Sequence, residues 1–185
     1  MLFLVVACDE ELRDISFANN IAPPSNVAAA YDITQDNTGD VTITPSADGA
    51  VSYKVNFGDS STPATIGQGE SVMHTYAEGS YDVVIEASNL NGDKTEEVQP
   101  LVVSFKAPEN VVATIENDAA LTKQVNVTTT ADFATMYEFH SGETGVTQPV
   151  ATANIGESLS YTYANAGTYS IKIIVKGGAI QTTEY

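Results

Sequence analysis

Apolar residues recur at every second position in short runs along this chain. Val27, Ala29, Tyr31 and Ile33 alternate with smaller or more polar residues, and so do Val41 and Ile43. Val51, Tyr53, Val55 and Phe57 share one face of the next run, with Ser52, Lys54 and Asn56 on the other. Tyr81, Val83, Ile85 and Ala87 repeat the pattern, as do Tyr169, Ile171, Ile173 and Val175. Successive side chains on a strand point to opposite faces, so this period of two predicts antiparallel sheets with one wet face. Gly- and Asn-rich turns interrupt the runs, and several short strands in about 80 residues predict a β-sandwich. No apolar stripe of helical period is long enough to be useful.

The pattern is written twice. Pro24 to Val27 aligns with Pro108 to Val111, 84 residues on, and YKVNFGDS (53–60) aligns with YEFHSGET (137–144) at the same offset. GESVMHTYAEGSYDV (69–83) then meets GESLSYTYANAGTYSI (156–171), the offset growing to 87 and 88. The extra residues fall where Gly, Thr and Pro are dense, as loops require. The repeat predicts two tandem antiparallel β-sandwiches, residues 24–105 and 106–185, each close to the smallest size at which a core holds alone. Gly79 is read as a tight turn before Tyr81, whose ring packs between the sheets and whose hydroxyl returns to the backbone, as in a tyrosine corner. Gly167 and Tyr169 repeat the device. QTTEY (181–185) aligns with KTEEV (94–98), which in the first unit runs on as QPLVVS. The second unit is therefore expected to stop partway into its last strand, as a C-terminally truncated domain.

The N-terminal residues read differently. MLFLVVA is too short an apolar run to span a bilayer, and residues 1–7 read as part of a lipoprotein signal peptide. VVAC (5–8) resembles the bacterial lipobox, which implies cleavage before Cys8 and acylation of that residue. Several acyl chains on one cysteine anchor a protein durably, at roughly 0.8 kcal/mol per buried methylene. A basic segment ahead of Leu2 is missing, which places the start of a complete signal upstream. The competing reading is a buried strand with an ordinary core cysteine. Residues 8–23 lack a sustained period and end in Pro23-Pro24, so they read as a flexible tether. Asp9 to Glu11 resemble the acidic export signal of Bacteroidota surface lipoproteins, implying a lipid-anchored, surface-exposed place on the outer membrane. In an enterobacterial system the same Asp9 would imply retention at the inner membrane. With a single cysteine there is no internal disulfide framework.

VNFGDS followed by HTYAEGSYDVVIEA resembles the polycystic-kidney-disease (PKD) domain. Phe57, Gly58, Asp59, His74, Tyr76, Gly79, Tyr81 and Val83 match its pattern, while Val55, Asn56 and Ser60 replace the usual Trp, Asp and Gly. In the second unit Gly142, Tyr163, Gly167, Tyr169 and Ile171 fit, with Glu143 in the Asp position and Ser141 in that of Phe. The resemblance implies an extracellular seven-strand sandwich used in adhesion, spacing or ligand display, with the second unit a divergent PKD or related immunoglobulin-like domain.

The chain carries 24 acidic and 7 basic side chains, a formal charge of −17. That field repels phosphate backbones and anionic membranes, which sets nucleic-acid binding aside. Catalytic and cofactor signatures are missing: there is no nucleophile elbow and no phosphate-cradling glycine loop. Counting carboxylates leaves a glycosidase-like pair open, but a sandwich this small offers little room for a cleft. The two histidines, His74 and His140, lack local partners at metal spacing, and His74 is assigned a structural place in the turn motif. DNTGD (36–40) suits a hairpin as well as a calcium loop and lacks the twelve-residue ligand periodicity. Trp is absent. Tyr53, Tyr76, Tyr81, Tyr137, Tyr163, Tyr169 and Tyr31 are assigned to cores and corners, leaving only Tyr161 and Tyr185 for stacking on a sugar. The leading expectation is a non-enzymatic stalk, without cofactor or metal, resembling a surface lipoprotein of a Bacteroidota glycan-uptake system. Its partners would be the membrane, through the anchor, and a polysaccharide or another surface protein. An adhesin-type protein-binding module, or the accessory domains of a secreted hydrolase, are the rivals.

Overall fold

The computed structural model describes residues 21–185, and every helix or strand among them is a strand. The first seven are β1 (Ser25–Ile33), β2 (Asp40–Asp48), β3 (Ser52–Asn56), β4 (Ala64–Gly67), β5 (Val72–Thr75), β6 (Gly79–Ser88) and β7 (Lys94–Val103). The second seven are β8 (Glu109–Asn117), β9 (Gln124–Asp132), β10 (Met136–His140), β11 (Ala151–Asn154), β12 (Ser158–Thr162), β13 (Lys172–Lys176) and β14 (Thr183–Glu184). Sheet β1-β2-β5 faces sheet β4-β3-β6-β7, and the order recurs as β8-β9-β12 and β11-β10-β13-β14. The described residues form two tandem sandwiches of seven strands each, the antiparallel sandwiches that the alternation and the repeat predict. Cys8 and the acidic residues behind it lie outside the described residues.

Each sandwich buries the apolar face of its strands. Tyr31, Ile43, Val55, Ile85 and Leu101 belong to the first core, and Val127, Tyr137, Phe139 and Ile173 to the second. Removing these faces from water is the main driving force. Val51 departs from expectation: it precedes β3 at a bend and is exposed. The strand expected from Tyr169 begins only at Lys172. The alignment of the last residues also shifts by one, because Thr183 pairs with Val175 as Thr95 pairs with Ala87. Thr183 even donates to the carbonyl of Pro108 at 2.6 Å, as Thr95 does to that of Pro24 at 2.7 Å.

The duplication extends to strained backbone. Asn26 and Asn110 both take a φ of 53° at a bulge in the first strand of their domain. Asparagine tolerates this left-handed region better than most residues. Each donates a hydrogen bond from its side-chain Nδ2 to an aspartate at the end of the next strand, Asn26 to Asp48 at 2.7 Å and Asn110 to Asp132 at 2.6 Å.

The two domains are docked. Among the described residues β1 pairs with β2 on one side only, and its other edge meets Asn154 at the end of β11. The Asn154 Nδ2 donates to the carbonyl of Ala29 at 2.8 Å, and its Oδ1 accepts the N–H of Tyr31 at 3.0 Å. One carboxamide thus acts as a peptide group would and satisfies part of an otherwise open edge. Thr135 donates to the carbonyl of Val102 at 2.6 Å. The loop before β2 joins in, with the Asn37 N–H on the carbonyl of Gly178 at 3.0 Å and the Ile180 N–H on Asn37 Oδ1 at 3.3 Å. Lys106 lies over the ring of Phe133, 4.8 Å from its centroid.

Candidate functional site

The residues of the repeated motif gather in one cluster per domain. In the first, Gly58 makes a turn at a φ of +78°, and a Cβ there would stand 2.5 Å from the carbonyl oxygen of Asp82. Only glycine fits that approach. The turn brings Phe57 beneath His74, stacked at 4.0 Å between centroids and 8° between planes. His74 Nε2 lies 2.7 Å from Asp59 Oδ2. The Ser61 hydroxyl and N–H donate to Asp59 Oδ1 at 2.5 and 3.0 Å. These bonds, the Ser61 hydroxyl first and His74 next, hold the Asp59 carboxyl well below the usual carboxylate range. Tyr76 packs edge-on to both rings of the stack.

Serine, histidine and aspartate are all present, but the order of contacts is not that of a nucleophilic triad. Ser61 gives its proton to Asp59, and His74 faces Asp59 with Nε2, the nitrogen that also lies nearer to Ser61, at 3.5 Å. A triad needs histidine between the other two, with one ring nitrogen for each. The cluster fastens β3 to β5.

The second domain builds the same fastening from different residues. Gly142 takes a φ of +73°, and a Cβ there would stand 2.1 Å from the carbonyl oxygen of Ser170. Glu143 replaces Asp59 and Tyr161 replaces His74, the Tyr161 hydroxyl donating to Glu143 Oε2 at 2.5 Å. That bond to the carboxylate raises the phenol pKa. The longer acid reaches the longer partner, and Phe139 and Tyr163 pack edge-on to the Tyr161 ring. Tyr161, one of the two tyrosines the sequence left without a core place, is committed to this cluster. The signal was present in the alignment, where acid and partner change together.

The corners form as expected, the Tyr81 hydroxyl donating to Ala77 and the Tyr169 hydroxyl to Asn165. Gly79 is not the tight turn expected: it lies in β6 at an ordinary φ and serves the first corner by absence of bulk, since a Cβ there would lie 3.1 Å from the Tyr81 hydroxyl oxygen. His140 Nε2 stands 3.8 Å from Glu138 Oε2, a carboxylate that Lys176 also pairs with. In DNTGD, Asp36 Oδ1 accepts from Thr34 and Thr38, and Asp40 Oδ1 accepts from Thr75 on β5. Among the described residues no cluster of His, Cys, Asp and Glu is placed to hold a metal ion. Tyr185 is exposed. Two concavities stand out, a groove of about 410 Å³ in the second domain and one of about 250 Å³ where β1 meets the second domain.

Residues 26–102 match the family model described as PKD domain. The first sandwich therefore carries that domain's sequence pattern as well as its strands. No curated protein matches the chain. Among solved structures, the fibronectin(III)-like modules of Clostridium thermocellum CbhA are similar, at 13% identity and a TM-score of 0.38 over 85% of this chain and 90% of that one. A β-glycosidase from Bacteroides vulgatus is similar at 11% identity and a TM-score of 0.33, over 89% of this chain and 24% of that one. The apo structure of Bacteroides uniformis β-glucuronidase 3 gives 8% identity and 0.33, over 87% and 24%. The chain spans about a quarter of each of these two longer proteins.

Proposed function

We propose that the chain is the stalk of a cell-surface lipoprotein: two docked sandwich domains, without catalytic activity, that hold a glycan-binding region away from the outer membrane. The observation that carries this reading is the contact between Asn154 and β1, because a spacer must transmit position and a pair of docked domains does so better than a flexible string. The motif clusters support it in turn, since Asp59 is paired with Ser61 and His74, and Glu143 with Tyr161. The anchor at Cys8 rests on the lipobox resemblance of residues 5–8.

Two measurements test the proposal. Cys8→Ser, in a chain with a complete signal, should move the protein from the membrane fraction to the soluble one. Calorimetry against a panel of soluble glycans should give binding weaker than about 100 μM, roughly 5.5 kcal/mol. A variant that stays with the membrane overturns the anchor, and tighter binding makes these domains the receptor rather than its support.

A further inference from the structure

The hairpin between β6 and β7 holds the one Asn-Gly step in the chain, Asn91-Gly92. Leu90, Asn91, Gly92 and Asp93 are all exposed at its tip. Gly92 takes a φ of +86°, and a Cβ there would meet nothing within 4 Å, so water reaches this peptide bond freely. Asparagine is chemically labile. It is most so before glycine, where no side chain shields its carboxamide carbon from the next backbone nitrogen. The matching loop of the second domain, Gly177 to Ile180, contains no asparagine.

The folded hairpin opposes that attack. The Gly92 N–H donates to the carbonyl of Asn89 at 3.1 Å, and the Asn89 N–H donates to the carbonyl of Asp93 at 3.0 Å. The side chain of Asn89 is buried beneath the turn. Its Oδ1 accepts the N–H groups of Asn91 and Asp93, each at 2.9 Å. Its Nδ2 donates to Asp93 Oδ2 at 3.0 Å and to the carbonyl of Ala22 at 3.1 Å. The attacking nitrogen is therefore held in a turn whose flanking amides are pinned by one side chain. Attack on the neighbouring carboxamide requires the turn to open first.

We propose that Asn91 is a deamidation site, and that Asn89 is the positioning residue that confines the reaction to the moments when the hairpin opens. The Gly92 nitrogen gives up its proton to base and attacks Cγ of Asn91. The N–Cγ bond forms, the Cγ–Nδ2 bond breaks, and the departing nitrogen takes up a proton and leaves as ammonia. Water then opens the cyclic imide at either carbonyl, giving aspartate or isoaspartate. Nothing is oxidised or reduced, and water is the co-reactant. The product alters the first domain beside the start of β1. An acid at position 91 adds negative charge next to Asp93, and isoaspartate lengthens the main chain within a closed turn. Both changes loosen Asn89, and with it the bond to Ala22.

The test incubates the full chain at mildly alkaline pH, folded and in concentrated guanidinium chloride, and follows its peptides by mass spectrometry and isoaspartate detection. Each event adds about 1 Da. Asn91 should convert before any other asparagine, and at least about tenfold faster in denaturant than in the folded chain. Asn89→Ala should raise the folded rate about tenfold while the amides of Val83 to Ile85 stay protected from hydrogen exchange. In denaturant the same variant should match the unsubstituted chain. If Asn89→Ala does not fold, Asn89→Ser takes its place and should also speed the folded reaction, because the bonds to Asp93 Oδ2 and Ala22 are lost. No conversion at Asn91, or earlier conversion at another asparagine, overturns the site. Equal rates in the folded and denatured chain, or a folded rate that substitution of Asn89 leaves unchanged, overturn the role of the hairpin.

Discussion

The hydroxyl of Tyr81 donates to the carbonyl of Ala77, four residues earlier, at 3.0 Å. Tyr169 makes the same bond to Asn165 at 2.8 Å. The bond ties the start of β6 to the loop that leads into it, while the ring leans on Tyr76 at 4.6 Å between centroids. Tyr81→Phe should cost about 1 kcal/mol, the worth of one hydrogen bond. Tyr81→Ala should cost about 2–3 kcal/mol, less than for a fully buried aromatic because the ring is half-exposed. Denaturant melts of the two variants check this, and an unchanged midpoint for Tyr81→Ala removes the corner's role.

Gly58 and Gly49 separate two costs of adding a methyl group. Both have φ near +75°, but a Cβ at Gly49 meets nothing within 4 Å while one at Gly58 meets the Asp82 backbone. Gly49→Ala should cost about 1 kcal/mol, from backbone strain alone. The second domain places Phe133 at the matching position with a φ of 58°. Gly58→Ala should cost about 3 kcal/mol, since β6 must move as well. Equal losses in thermal or denaturant unfolding would show that the close approach carries no penalty.

Asp59 makes stability depend on acid. Its folded pKa lies below the unfolded value of about 3.9, so its contribution is complete above that value and is lost as pH falls through the folded one. The first domain should therefore weaken progressively below about pH 4. Asp59→Asn should be less stable at neutral pH and lose less on acidification. Melting curves at a series of pH values check this, and parallel curves for the two proteins would contradict it.

Much of the fold was legible because each strand carries its own period, and because the same order of strands occurs twice. Tyr31, Tyr53, Val83 and Ile173 are buried where alternation puts them. Tyr161 was misread because its value depends on Glu143, a partner 18 residues away. Aligned with Asp59 and His74, the two residues form a substituted pair. Asn154 had no such signal. Its partners lie 123 and 125 residues off, and no local period encodes how one domain meets the next. The late start of β13 was equally hidden, since Tyr169 and Ile171 keep the alternation of a strand but have no strand partner among the described residues.

The stalk reading depends on the domains moving as one body, and nuclear spin relaxation of the backbone amides measures that directly. Residues of both sandwiches should report a single rotational diffusion tensor, with the correlation time of one 19.5 kDa particle. Asn154→Ala removes both bonds to β1 and should split the two domains toward separate, shorter correlation times. Two independent correlation times in the unsubstituted protein would contradict the account.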